Sequence, residues 1–257
     1  MKSSVLSKLA LLFVAAIISI GFLTGSTVIT NSPGGFNAGL TRAVGVSETT
    51  QGVLRLGSSS SCDSLDPAQS FDSWCAVVTR MYSRNLMAFA GAPGERGLTL
   101  TPDLVIAEPE FNPEKTNWNF TLRDDVFWSD GTPVTASDVK YSILRLFDDS
   151  LQSPISLETL CLFSACTKGI PDYKGPYVDP TADLASIVVT DERNISFNLN
   201  RPYPEFSRLL AAPQFAPINQ SRDVELRIAG LTYASNPASN GPFVLTVGEG
   251  EIQYSFL

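Results

Sequence analysis

The sequence contains no histidine among its 257 residues. This absence excludes Ser-His-Asp and Cys-His nucleophile systems, histidine general bases and HExxH zinc sites. Basic residues are also sparse: 18 Lys and Arg stand against 26 Asp and Glu, which gives a net charge of −8, and no basic run could neutralise several phosphates. We therefore expect neither a histidine-dependent hydrolase nor a nucleic-acid partner, and the 44% apolar content predicts a globular core.

Long apolar runs are confined to the amino terminus. Lys2 and Lys8 precede an apolar run from Leu9 to Leu23, and its length of about fifteen residues falls short of the roughly twenty that span a bilayer. The small residues of "TGS", Thr24 to Ser26, suit cleavage. We predict that residues 1–26 are a signal peptide and that the protein is exported to the periplasm or the cell exterior, with an uncleaved membrane anchor as the alternative.

Cysteine occurs four times, at positions 62, 75, 161 and 166. An oxidising compartment outside the cytoplasm favours disulfides over thiolate metal sites. The nearest-neighbour pairing joins Cys62 to Cys75 and Cys161 to Cys166, although three connectivities are possible. A four-cysteine zinc site fits these spacings poorly, so we expect no metal.

The remaining chain divides into a tether and a folded part. Residues 27–51 are rich in Gly, Ser, Thr and Asn without periodicity, which predicts a flexible tether. Apolar segments recur over residues 52–257. We predict a first strand at Gly52–Gly57, a helix over about Ser73–Ala88 from its apolar three- and four-residue steps, and a strand pair near the carboxyl terminus.

An acidic cluster between residues 124 and 138 raises the question of a reactive site. Asp130 and Gly131 form an Asp-Gly pair, which predicts a turn. Thr135 and Asp138 have the spacing of a capping box at the start of a helix. These acids are therefore interpreted as structural.

Two chemical interpretations of the cluster compete with the structural one. A calcium loop centred on Gly131 would place Val126 and Trp128 at ligand positions, where oxygen atoms are needed, so this interpretation is rejected. A secreted glycosidase that uses Asp124 or Asp125 remains an alternative, because sequence does not fix the separation of two carboxylates.

Four stretches in order resemble the bacterial extracellular solute-binding proteins of family 5, the oligopeptide-, dipeptide- and nickel-binding components of ABC importers. They are "SLDPA" at 64–68, "WNFTLRDDVFWSDGTPVTASDV" at 118–139, "ISFNLNRPYPEF" at 195–206 and "SNGPF" at 239–243. The segment "YKGPY" at 173–177 is similar to the peptide-binding branch.

This resemblance implies an α/β fold of the periplasmic-binding-protein type, class II and cluster C, with a mixed-sheet lobe and an inserted β-rich subdomain over roughly 66–210. Residues 52–257 would be the amino-terminal portion of the solute-binding domain. Relatives are about twice as long, so the second lobe is expected to be missing from this truncated chain. Hinge closure of two lobes around a ligand is the implied motion.

The implied function is capture of an oligopeptide or dipeptide for delivery to an ABC permease in the membrane. We expect a monomer that is not an enzyme and uses no cofactor. Nickel is a weaker candidate ligand because histidine is absent. A secreted surface interaction or scaffold protein, derived from half a receptor, is a further alternative. Lipid anchoring is not expected, because Ser26 stands where the lipobox of Gram-positive relatives has cysteine.

Candidate ligand-binding residues follow from topology. Open α/β sheets bind ligands beyond the carboxyl ends of their strands. This nominates Ser58, Ser60 and Ser61 after the first strand, and Asn240 and Gly241 before the late strand. At both places, the alternative is an ordinary turn.

Overall fold

The computed structural model of the protein describes residues 61–248 and 251–256. The predicted signal peptide, tether and first strand therefore lie outside the described residues, as do Ser58 and Ser60. No helix in the described ranges is both long and apolar enough to cross a bilayer. The α-helices are α1 (Ser73–Tyr82), α2 (Ala136–Arg145), α3 (Leu157–Leu160), α4 (Phe206–Leu209) and α5 (Gln220–Ile228).

The described strands form one four-stranded sheet and three hairpin-like pairs, and all their pairings are antiparallel. The strands are β1 (Met87–Phe89), β2 (Leu100–Pro102), β3 (Glu110–Phe111), β4 (Asn117–Thr121), β5 (Cys166–Thr167), β6 (Ile170–Pro171), β7 (Ile187–Val189), β8 (Asn194–Asn198), β9 (Phe243–Gly248) and β10 (Glu251–Phe256). The mixed sheet expected from the family resemblance is thus not seen in these ranges.

The four-stranded sheet has the order β3-β4-β8-β7 and carries the main core. In β4, Trp118 and Phe120 are buried whereas Asn119 is exposed, which is the alternation of a strand with one face on the core. β4 pairs with β8 so that Phe120 lies opposite Ile195. The buried ring of Phe206 in α4 lies between 5.1 and 6.4 Å from the rings of Trp118, Phe120, Phe163 and Phe197. Aromatic packing therefore joins α4 to the sheet.

The turn and the helix start predicted from the acidic cluster are both present. Gly131 has a φ of +86°, and Asp130 Oδ1 accepts a hydrogen bond from the Thr132 amide at 2.9 Å. Thr135 caps α2: its hydroxyl accepts from the Asp138 amide at 3.2 Å, and the Asp138 carboxylate accepts from the Thr135 amide at 3.0 Å. These reciprocal bonds form the predicted capping box.

The first helix is shorter than predicted, because α1 ends at Tyr82 rather than near Ala88. Ser83 is extended, with φ −132° and ψ 147°. The amides of Asn240 and Gly241 donate to the Tyr82 carbonyl at 3.0 and 2.9 Å, so distant residues occupy the acceptor at which the helix ends. The apolar steps continue past Tyr82, but Met87–Phe89 form β1, which pairs with β2.

Removal of the capping hydroxyl should destabilise the fold moderately. We expect Thr135→Ala to lower the free energy of unfolding by about 1 kcal/mol, because an amide at the start of α2 loses its acceptor. Urea unfolding measures this loss as a lower midpoint with an unchanged slope. Thr135→Ser, which keeps the hydroxyl, is the matched control. Equal stability of the alanine and serine variants would contradict the cap's role.

Candidate functional site

Three of the nominated ligand-binding residues, Ser61, Asn240 and Gly241, are in the described part of the chain, and they lie on segments that contact α1. Ser61 is exposed and precedes Cys62, which forms a disulfide with Cys75 of α1 at a Cα–Cα distance of 4.8 Å. Leu65 packs with Val78, Tyr82 and Leu245 in a small buried cluster. The Tyr82 hydroxyl also donates to the Leu65 carbonyl at 2.5 Å. The segment after Ser61 and the segment around Asn240 are thereby brought to one helix.

Asn240 is buried and uses its side chain to hold the backbone. Its Oδ1 accepts a hydrogen bond from the Arg84 amide at 2.9 Å, while its own amide bonds to Tyr82. The side-chain Nδ2 of Asn240 is buried without a hydrogen-bond partner. The Oδ1 atom of Asn240 therefore already accepts a hydrogen bond, and only the Nδ2 atom has no partner.

Gly241 makes a backbone contact that excludes a side chain. A Cβ at this position would lie 2.7 Å from the Tyr82 carbonyl carbon and 2.8 Å from the Ser83 nitrogen. Such distances are not tolerated without a backbone shift. Glycine is therefore required here by close approach to the end of α1, whatever further role the position has.

Ser239 connects the late segment to the Asp-Gly turn. Its carbonyl accepts from the Ser129 amide at 2.7 Å, and its amide donates to the Ser129 hydroxyl at 3.2 Å. The Ser239 hydroxyl accepts from the Leu245 amide at 3.0 Å. The central family-like stretch, through its "SDG" turn at 129–131, therefore contacts the "SNGPF" stretch directly.

Arg145, Asp66 and Asp223 form a buried ionic network, which was not identified from the sequence. The guanidinium of Arg145 in α2 donates to both oxygens of Asp66, at 3.2 and 2.5 Å, and lies 3.6 Å from Asp223 Oδ1. All three side chains are 1% exposed. Burial, the largest single effect, lowers the pKa of Arg145, but the adjacent Asp66 carboxylate, together with Tyr177 and Asp223, raises it above the ordinary value. The network is a buried cluster in which Arg145 contacts two carboxylates.

Two tyrosines complete this network. The hydroxyls of Tyr141 and Tyr177 donate to Asp223 Oδ2 at 2.7 and 2.8 Å, and Tyr177 also accepts from Arg145 Nε. Burial and the Asp223 hydrogen bond raise the pKa of Tyr141, and burial raises the pKa of Tyr177. The one sequence signal for this network is an arginine inside the apolar run "ILRLF".

The "YKGPY" segment packs against the end of α2. The Tyr173 ring contacts Phe147 edge-to-face at 5.2 Å, and its buried hydroxyl has no hydrogen-bond partner. Gly175 has a φ of +92° and approaches the Asp148 backbone so closely that a Cβ would lie 2.9 Å away. Tyr177 then reaches the ionic network. The "YKGPY" segment is therefore packed against the rest of the folded chain.

The cysteines and the acidic cluster hold no free reactive group. The structure has the nearest-neighbour disulfides, Cys62–Cys75 and Cys161–Cys166, so these sulfurs are not thiolate ligands. Asp125 pairs with Arg123 at 2.6 Å and Asp124 with Arg193 at 3.3 Å, both at the surface. These contacts suit structural ion pairs and give no support to a catalytic carboxylate pair.

Comparison with known proteins identifies the relatives. The model of the bacterial extracellular solute-binding proteins, family 5 Middle, matches residues 99–250. The periplasmic murein peptide-binding protein MppA of Escherichia coli is 35% identical over 128 residues, which are 50% of this chain and 22% of that protein. The periplasmic oligopeptide-binding protein OppA of Salmonella typhimurium is 33% identical over 144 residues, 56% of this chain and 25% of that protein.

Solved structures agree in fold. A clavulanic acid biosynthesis oligopeptide binding protein 2 has a TM-score of 0.67 and 32% identity, covering 76% of this chain and 34% of its own. Listeria monocytogenes OppA bound to peptide has a TM-score of 0.59 and 25% identity, and the match covers 75% of this chain and 36% of that protein. The fold is thus periplasmic-binding-protein-like, and the chain spans about a quarter to a third of the length of these relatives.

Loss of one charge from the buried network should destabilise the protein strongly. The Ala68 amide donates to Asp66 Oδ1 at 3.0 Å, a bond that the Asn carbonyl oxygen can also accept. We expect Asp66→Asn to lower the free energy of unfolding by about 3–5 kcal/mol, because the Arg145 charge loses its principal partner. Urea unfolding provides the measurement. Asp125→Asn, at an exposed pair, is the control and should leave the midpoint unchanged. A loss below about 1 kcal/mol for Asp66→Asn would contradict the network's importance.

The ionisation of Tyr173 should make the stability of the protein depend on pH in the alkaline range. Burial, with nearby Asp183, raises the pKa of Tyr173 to about 12, above the value of about 10 in the unfolded chain. The unfolded state therefore releases this proton first, and the stability linked to Tyr173 is lost as pH rises from about 10 to about 12. Tyr173→Phe should lose less stability over that range in urea unfolding, and should be no less stable at neutral pH because the removed hydroxyl has no partner.

The control for this comparison is Tyr203→Phe, which deletes a hydroxyl from a partly exposed tyrosine. An alkaline loss in Tyr173→Phe equal to that of the parent protein would show that Tyr173 does not contribute.

Proposed function

The chain belongs to the bacterial extracellular solute-binding proteins of family 5, and from that premise we propose that it captures oligopeptides or dipeptides outside the cytoplasmic membrane for an ABC permease. Its relatives are named for peptide binding: MppA for murein peptide and OppA for oligopeptides. Noncovalent capture rather than catalysis is the activity that this membership supports.

The packing of the family-like stretches against one another is the observation that carries the proposal. Ala68 of "SLDPA" belongs to the same buried core as Trp118 and Ile195 of the second and third stretches. Ser129 of the central stretch binds Ser239 of "SNGPF". β4 and β8, from the second and third stretches, pair over five residues each. Because all four stretches contribute to one packed body, their resemblance reflects a shared three-dimensional arrangement rather than separate short motifs.

Neither alternative function gains support from the described residues. A glycosidase needs two carboxylates free to act on the sugar, whereas Asp124 and Asp125 pair with arginines and Asp66 is buried against Arg145. A scaffold role has no relative in its favour among those described above. Peptide capture therefore remains the proposed function.

The proposed organisation follows the sequence-based expectations. Residues 1–26 act as an export signal, residues 27–51 as a tether, and residues 52–257 as solute-binding domain, with an inserted subdomain over roughly 66–210. Ser26 in place of a lipobox cysteine argues for secretion or retention by an uncleaved signal. The relatives' greater length leads us to propose that a second lobe completes the cleft and that the receptor acts as a monomer.

The proposed ligand contacts lie at the end of α1 and before it. Ser61 is exposed, and Ser58 and Ser60 precede it in the chain. Asn240 has an Nδ2 without a partner that is buried beneath the end of α1, and Gly241 brings the backbone close to this helix. Extended peptides are commonly held by main-chain hydrogen bonds, so a site with few free side chains is compatible with this ligand class.

Peptide binding should stabilise the protein against heat. With the protein produced from its complete gene, a peptide at about 100 times its Kd adds about 2.7 kcal/mol, which corresponds to a Tm increase of at most about 5–10 °C, the value for a cooperative unit of about 150–250 residues. A thermal-shift screen with di- to hexapeptides provides the test. Sugars and nickel are the comparison ligands, and stabilisation by these alone, with none by any peptide, would overturn the proposal.

The same assay tests the nominated residues. Replacement of Ser58, Ser60 and Ser61 by alanine should reduce the peptide-induced shift without lowering the Tm of the free protein. Thr181→Ala, at an exposed turn, serves as the matched hydroxyl deletion.

A further inference from the structure

A half-open pocket of about 250 Å³ lies beside α1, between this helix, β1 and the chain that follows α4. Ala76, Thr79 and Arg80 line it from the helix, Asn85 and Phe89 from the strand side, and residues 211–213 from the far wall. None of these residues is among the nominated peptide contacts. The pocket therefore needs an explanation of its own.

Thr79 contributes an unsatisfied polar group to the pocket. The residue is 2% exposed, and its Oγ1 has no hydrogen-bond partner in the protein. A buried hydroxyl without a partner is costly, since it has lost water and gained nothing in exchange. Thr79 lines the pocket, but its Oγ1 is itself buried, so rotation of the side chain about χ1 is needed to bring the hydroxyl to a ligand oxygen, which would then accept its hydrogen bond and remove this penalty.

Arg80 contributes positive charge at the rim. Its Nη2 donates to the Phe89 carbonyl at 3.2 Å, and in the described part of the chain it pairs with no carboxylate. Seven other arginines there do: Arg84, Arg123, Arg145, Arg193, Arg201, Arg208 and Arg222. The guanidinium of Arg208 also lies 5.3 Å from the Phe89 ring. The rim of the pocket thus carries one guanidinium, that of Arg80, without a carboxylate partner in the described residues, whereas Arg208 is paired with Glu205.

Asn85 fixes the far wall in place. Its Nδ2 donates to the Leu210 carbonyl at 3.0 Å and to the Ala212 carbonyl at 2.7 Å. These bonds hold the segment after α4 against the start of β1, so the pocket is built without a ligand. Alanine, proline and phenylalanine surfaces form most of the remaining lining.

We propose that this pocket binds a small organic carboxylate through Arg80 and Thr79, with the apolar body of the ligand between Phe89 and residues 211–213. The Arg80 guanidinium provides charge-assisted donors for the carboxylate, and Thr79 provides a further donor. A 150 Å³ cavity accommodates benzene, so a pocket of about 250 Å³ takes a ligand of about ten non-hydrogen atoms. The site is additional to the proposed peptide contacts near Asn240.

The test uses 3-phenylpropionate as the probe, titrated into the purified full chain and followed by protein NMR. We expect saturable shifts at Thr79, Arg80 and Phe89, and binding at least about tenfold weaker for the neutral 3-phenylpropionamide, because the amide lacks the charge that Arg80 pairs with. Arg80→Gln should weaken binding of the acid by a similar factor while leaving binding of the amide nearly unchanged.

Arg96→Gln is the matched control, since Arg96 is an exposed arginine that does not line the pocket. Thr79→Val, which keeps the side-chain shape, should weaken binding of the acid without loss of folded protein in urea unfolding. The absence of saturable shifts at the pocket overturns the proposal. Equal affinity for acid and amide, or equal affinity in Arg80→Gln and Arg96→Gln, overturns it as well.

Discussion

The pairing of one buried positive charge governs how the described chain is assembled. Arg145 sits at the carboxyl end of α2 with its side chain 1% exposed, and an unpaired charge at such depth costs several kcal/mol. Its two carboxylate partners, Asp66 and Asp223, come from opposite ends of the folded region. The charge is accommodated only when both segments reach α2, so the network couples local helix formation to the long-range fold.

Features that depend on neighbouring residues could be predicted from the sequence. The capping box of Thr135 and Asp138 and the turn at Gly131 each follow from side chains and backbone preferences within a few positions. The alternation along β4 is equally local, because it reflects which face of one strand meets the core. The resemblance of the four family-like stretches to family 5 then provided the prediction of the overall fold.

Features decided by distant contacts could not be predicted in the same way. The apolar steps of α1 continue beyond Tyr82, yet the helix ends there because the amides of Asn240 and Gly241 occupy its carbonyl. Likewise, the position of Arg145 in an apolar run signals burial but not which acids meet it. At the candidate site, topology nominated Asn240 and Gly241 as ligand contacts, and this stays a prediction, whereas their contacts with α1 required the structure.

Neighbouring positions on α1 contact two different parts of the structure. Cys75, Val78 and Tyr82 hold the segments that bear the nominated peptide contacts, through a disulfide, apolar packing and the terminal carbonyl. Thr79 and Arg80 instead line the pocket beside β1. Residues three and four positions apart share a helix face, so Thr79 lies beside Cys75 and Tyr82, whereas Arg80 points away from them. The contacts at Cys75, Val78 and Tyr82 fix the rotation of the helix and thereby the positions of Thr79 and Arg80 at the pocket.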